Sequence, residues 1–181
     1  MAVYTRINQN DLSLIEKNFK IGKIYSFSGI KKGIENTNYL IKTNKKKIIL
    51  TIFEKRVQKK DLPFFMNLMF GLSKHKIKCP EPIKNKKGKY LFKIKNKTAC
   101  LVSFLEGKDK NQLTSKDCFQ VGKNAALLHL AAKKLRLHRK NSLSVSSWGP
   151  LLNRIDKRIN KLSYNLIKTM KTDLVDIKKK W

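Results

Sequence analysis

The segment best equipped for chemistry in this 181-residue chain is Ser28-Gly29-Ile30-Lys31-Lys32-Gly33-Ile34-Glu35-Asn36-Thr37-Asn38-Tyr39. Glycine lacks a Cβ, so backbone N–H groups near Gly29 and Gly33 can come close to an anion, and free N–H groups are what phosphate oxygens bind. The pattern is neither G-x-x-x-x-G-K-[ST] nor G-x-G-x-x-G. On its residues alone it reads first as a glycine-containing hairpin and second as a phosphate cradle. The other reactive side chains are dispersed. Cys79, Cys100 and Cys118 are odd in number and widely spaced, as are His75, His129 and His138. Disulfide frameworks and zinc sites need tighter grouping, so these read as plain thiols in a reducing compartment. His129 falls within a helical pattern and reads as a packing residue.

Charge is the next feature: 42 Lys+Arg against 12 Asp+Glu, a formal net charge of +30. Such a balance raises nucleic-acid binding. Against it, only 6 of the basic residues are arginine, the side chain that contacts guanine and phosphate in bidentate fashion. The lysines are spread through turns and helix faces instead of gathered in one stripe. The composition therefore predicts nonspecific attraction to polyanions and no specific nucleic-acid partner. No apolar run reaches the roughly 18 residues of a membrane span, and the first residues lack the pattern of a secretory signal. The expected compartment is the cytoplasm.

The elements that would position the glycine segment follow from periodicity. Asn10 is placed to cap a helix from Asp11 to about Phe19. Three strands are expected at Ile24–Phe27, Thr37–Thr43 and Lys47–Phe53, the last apolar on both faces as a central strand would be. Asn44-Lys45 marks a tight turn between the latter two, since Asn tolerates positive φ. A helix capped by Asp61, with Pro63 in its first turn, carries Leu62, Phe65, Met66, Met69 and Leu72 at helical spacing. Pro80 and Pro82 enforce extended chain. A second hairpin, Tyr90–Ile94 and Thr98–Leu105, turns at Lys95-Asn96-Lys97. After a polar connector, Thr114 and Asp117 form a capping box, and Cys118, Val121, Ala125, Leu128, Ala132 and Leu135 follow along one helix face. Ser142–Pro150 reads as a loop holding Trp148. A last amphipathic stretch runs through Ile155, Ile159, Leu162, Leu166, Met170, Leu174 and Ile177. The expected class is α+β: a β-rich lobe over residues 1–105, a hinge at 106–112 and a helical lobe at 113–181.

Several motifs are more particular. Met1-Ala-Val-Tyr-Thr opens the chain, and Gly29-x-x-x-Gly33-x-Glu35-Asn36-x-Asn38-Tyr39 forms the loop. Ile49-Leu50-Thr51-Ile52-Phe53-Glu54-Lys55-Arg56-Val57 leads into Asp61-Leu62-Pro63-Phe64-Phe65. Cys79-Pro80-x-Pro82, Val102-Ser103-Phe104-Leu105-Glu106-Gly107 and Leu127-Leu128-His129-Leu130 follow in order. Together they resemble bacterial homoserine kinases of the aminoglycoside-phosphotransferase-like type over essentially the whole chain.

The resemblance implies a protein-kinase-like two-lobe fold, with a complete antiparallel β-rich lobe and an incomplete helical lobe. It implies ATP and Mg²⁺ as cofactors and L-homoserine as the small-molecule partner, phosphorylated on its hydroxyl on the way to threonine. Gly29, Gly33, Asn36 and Asn38 would then cover the phosphates, and Ser103, Phe104 and Leu105 would lend backbone groups to adenine. An ordinary buried strand remains the alternative for that last segment.

Two departures stand out. Thr51 occupies the strand position where kinase-like folds carry a phosphate-binding lysine, for which Lys55, Lys31 or Lys32 would have to substitute; the helix after Asp61 has no glutamate to orient one. Phosphoryl transfer also needs an aspartate at the acceptor hydroxyl and acidic Mg²⁺ ligands. None of Asp109, Asp117, Asp156, Asp173 or Asp176 follows a histidine in a His-x-Asp loop. No catalytic residue is therefore assigned, and the chain is expected to end short of that loop. Choline, aminoglycoside or sugar kinases and a non-catalytic nucleotide-binding remnant remain the alternatives.

Overall fold

Five short extended runs pair into one antiparallel sheet in the computed structural model, which describes residues 3–55, 57–156 and 164–180. The strands are β1 (Ile24–Gly29), β2 (Thr37–Thr43), β3 (Lys47–Ile52), β4 (Leu91–Ile94) and β5 (Lys97–Ser103). Their spatial order is β1-β2-β3-β5-β4. The helices are α1 (Gln9–Asn18), α2 (Leu62–Lys74), α3 (Ser115–Lys134), α4 (Val145–Asp156) and α5 (Tyr164–Lys180). The chain divides into two units, Met1–His138 and Arg139–Trp181.

β3 lies mid-sheet, and its unbroken apolar run serves two faces. Ile48, Leu50 and Ile52 join Ile41, Leu101 and Ala99 in a core closed by Leu12 and Ile15 of α1 and by Phe19, which caps its C-terminus. Ile49 and, just past the strand, Phe53 turn to the other face. There Cys100 and Val102 of β5 meet Met66, Phe65 and Met69 of α2. The β4–β5 turn places Lys95 and Asn96 both at positive φ, the geometry of a two-residue hairpin loop. The double-proline segment continues the same edge of β5: Pro82 bridges to Val102, and Ile83 N–H donates to Leu101 O at 2.8 Å.

Several expectations need correction. Asn8, not Asn10, caps α1, in a reciprocal box with Asp11. Asn44 does not use positive φ; Thr43 closes that turn, its hydroxyl accepting from Lys45 N–H and Lys46 N–H. Asp61 makes no capping hydrogen bond, because a 3₁₀ turn (Lys59–Asp61) runs straight into α2 and holds Asp61 in helical geometry. Trp148 and Pro150 lie inside α4, whose start is organised by Ser144, the acceptor for Ser147 N–H. Thr114 and Asp117 do form their capping box. The apolar face of α3, however, is open: Val121 and Leu128 are exposed, as is His129, and Ala131 is the buried residue of this helix. Periodicity encodes a face but not what covers it. Leu152 and Leu174 are buried within the second unit. The side chains of Ile155, Ile159, Leu162 and Leu166 lie outside the described residues. Among the described residues, no helix is long and apolar enough to cross a membrane.

Leu50 is fully buried between sheet and α1, so Leu50→Ala should cost about 2–5 kcal/mol by transfer and cavity terms together. Leu130→Gln, on the exposed face of α3, should stay within about 0.5 kcal/mol. Urea unfolding midpoints check both, and equal losses would contradict the core described here.

Candidate functional site

Where β3 and β5 face α2, the side chains do not fill the space. At the middle of that face Thr51 is the register partner of Cys100, and both are small. The result is a cavity of about 510 Å³ lined by Ile49, Thr51, Phe53, Phe65, Met66, Met69, Cys100 and Val102. Its lining continues through Asn36, Val57, Pro80 and the run Ser103-Phe104-Leu105. Ligand sites of small molecules span roughly 300–1,000 Å³ and are mostly apolar with a few polar groups, as here. Burial pushes the Cys100 thiol up to about 12, so it is a neutral wall and no nucleophile. Burial, and then the neighbouring Glu81, also raise Cys79.

The cavity brings together four of the seven residues expected to hold a ligand: Asn36, Ser103, Phe104 and Leu105. Ser103 is engaged by the proline segment, its N–H donating to Glu81 O at 2.9 Å and its hydroxyl accepting from Glu81 N–H at 2.9 Å. Phe104 has Lys47 Nζ 5.4 Å from its ring centre, and that ammonium also meets Glu106 Oε1 at 2.7 Å. Leu105 follows the end of β5, and among the described residues no main-chain hydrogen bond involves it. Asn36 Oδ1 accepts from Glu54 N–H at 3.3 Å. A backbone N–H can only donate, so the Asn36 amide must turn its oxygen to Glu54 and its NH₂ the other way.

Gly29, Gly33 and Asn38 do not line the cavity. Gly29 ends β1, where a Cβ would sit 2.8 Å from Val3 Cγ2; the missing side chain admits the N-terminal segment. Gly33 has φ +132°, which strongly favours glycine. Asn38 is the register partner of Thr51 and accepts from its hydroxyl at 2.8 Å, so the lysine-less position is closed by a cross-strand polar pair. None of the three candidate substitute lysines lines the cavity. Lys31 and Lys55 are exposed, and Lys32 pairs with Asp109 of the connector.

A polar cluster, missed in the sequence, adjoins the glycine segment. Glu54 Oε1 accepts from Thr5 Oγ1 at 2.7 Å and from Thr37 Oγ1 at 2.8 Å, and Glu54 Oε2 accepts from Lys97 Nζ. Lys97 Nζ also donates to Thr5 Oγ1 at 2.7 Å. Thr37 Oγ1 in turn accepts from Tyr4 N–H and Thr5 N–H at 2.9 and 3.1 Å. Burial would raise the Glu54 carboxyl, but the hydrogen bonds from Lys97, Thr5 and Thr37 outweigh it and hold it below its ordinary 4.5. The available signal was a glutamate just past a two-faced strand, with threonines at positions that pair elsewhere.

Residues 26–169 match the model of the phosphotransferase enzyme family. The chain belongs to that family. Homoserine kinases of Brucella anthropi, Paramagnetospirillum magneticum and Allorhizobium ampelinum are 36%, 38% and 39% identical over all 181 residues. The chain spans 56% of the length of each. Among solved structures, spectinomycin phosphotransferase APH(9)-Ia with ADP and spectinomycin shares the fold at TM-score 0.64 and 16% identity, covering 88% of this chain and 50% of that one. Its AMP-bound form gives TM-score 0.60 at 15% identity, covering 89% and 49%. The fold is thus the α+β, protein-kinase-like one of aminoglycoside phosphotransferases.

Phosphotransferase chemistry uses magnesium, and the residues here do not fit it: the cavity lining contains no carboxylate. Among the described residues, no group of three or more His, Cys, Asp or Glu could hold a metal ion. No step through a metal is derived.

Two outcomes follow. A carboxyl held below 4.5 in the fold contributes stability above that pH and loses it as pH falls through the lower folded value. Wild-type thermal midpoints should therefore fall more steeply in acid than those of Glu54→Gln; parallel curves would contradict the cluster. With an aromatic disulfide reagent at mildly alkaline pH, exposed Cys118 should react well before Cys100.

Proposed function

We propose that this chain forms the nucleotide site of an ATP-dependent small-molecule kinase whose acceptor is L-homoserine. The observation that carries the nucleotide reading is one cavity whose lining includes both Leu105, just past β5, and Asn36, just before β2. Its apolar walls suit the two faces of a purine, stacked between β3–β5 and α2. The Leu105 N–H and C=O are open to the base edge, as the comparable segment is expected to be in this fold. From there a triphosphate would run toward Asn36 and the loop bearing Gly33, where the Asn36 NH₂ and loop N–H groups act as donors. The lysine-rich surface adds favourable but unselective potential.

The acceptor rests on the relatives' name and their identity along the whole chain. Phosphorylating homoserine on its hydroxyl is a step toward threonine, and ATP and free amino acids place that step in the cytoplasm. Proton removal from the hydroxyl and metal binding are assigned to no residue here.

Calorimetric titration at near-physiological salt tests the nucleotide reading. ATP should bind one to one, and adenosine should compete for the same site. Binding by tripolyphosphate alone, collapsing with added salt, would leave only polyanion attraction and overturn the reading. A coupled assay on the same chain should show no homoserine-dependent ADP release, because the cavity has no carboxylate; steady turnover would refute that.

A further inference from the structure

Two motifs that stand out in the sequence, the opening Tyr4-Thr5 and the Glu54 that follows β3, have no part in the nucleotide reading. The structure joins them, and both reach the loop between β1 and β2. That loop is tied down at its start, where Ile30 N–H donates to Asn38 O at 2.9 Å. Near its tip, Tyr4 Oη donates to Ile34 O at 2.9 Å. At its end, Glu54 N–H holds the Asn36 amide, and the Glu54 carboxylate accepts from Thr37, the next residue. Residues 31–35 are all exposed, so packing does not fix the loop; hydrogen bonds must. The Lys32–Asp109 pair is exposed at both ends, and such pairs contribute little.

Resting on the nucleotide reading, we propose that Glu54 and Tyr4 are positioning residues for the phosphates: they brace the loop over the triphosphate without touching it. The physical reason lies in how the strain of holding a loop is distributed. Donors preorganised toward an anion need no reorganisation when it arrives, whereas a free loop must be ordered at the moment of binding. Glu54 is suited to the task because its side chain is only 10% exposed and its carboxylate carries three hydrogen bonds from donors on three segments. Lys97 offers hydrogens alone, so a glutamine at 54 must turn its oxygen to Lys97. Its NH₂ would then face Thr5 and Thr37, and Thr37 Oγ1 already accepts two N–H groups. The Thr37 link to the loop is lost first.

The test compares ATP with adenosine on the same chain, in wild type, Glu54→Gln and Tyr4→Phe, with thermal melts as the folding control. Each variant should weaken ATP about fivefold, the worth of one hydrogen bond, and leave adenosine unchanged. Tyr4→Phe removes only an exposed hydroxyl bond, so it reports even where Glu54→Gln lowers the melting point. Equal weakening of ATP and adenosine, or no change in Tyr4→Phe, would make the cluster a purely structural brace and overturn the inference. Failure of the wild type to bind either ligand would instead overturn the nucleotide reading on which it rests.

Discussion

The Glu54 carboxylate sets the arrangement of this fold's working end. A charge removed from water must recover its hydration from hydrogen bonds and an opposite charge. Here Lys97, Thr5 and Thr37 supply them, two of these partners lying 92 residues apart in sequence. Meeting that one requirement draws in the N-terminal segment, the start of β2, the end of β3 and the start of β5. Thr5 then presents its carbonyl to Tyr39 Oη at 3.0 Å, and Tyr39 Oη accepts from Ile7 N–H at 3.3 Å. The chain leading into α1 is thereby laid along the sheet, and α1 closes the first core.

The second face is what the cluster leaves open. Leucine or isoleucine at positions 51 and 100 would fill the gap under α2. Threonine and cysteine, opposite one another in register, leave the cavity open instead. The Thr51 hydroxyl on that wall is satisfied by Asn38. A lysine at 51 would place an ammonium in that space.

Much of this was legible beforehand. The two-sided run of β3, the proline pair and the Thr114–Asp117 box each follow from a local rule, and each lies where that rule puts it. The resemblance motifs also pointed to the family that the comparison established. Errors arose where two local signals competed. Asn8 and Asn10 are equally good caps by type, but only Asn8 has an acidic residue three positions on. Trp148 and Pro150 suggested a loop because proline is disfavoured inside helices, yet α4 begins early enough to contain both. The Glu54 cluster was illegible for a different reason. Its members are ordinary threonines, a lysine and a glutamate, and only the tertiary fold brings them within bonding distance.

Amide-resolved NMR titration with a non-hydrolysable ATP analogue, at near-physiological salt, tests the central claim most directly: a base in the β3–β5–α2 cavity and phosphates under the glycine loop. Saturable shifts are predicted at Val102, Leu105, Asn36 and Gly33. Shifts spread over exposed lysines with no change at Val102 or Leu105 would contradict it.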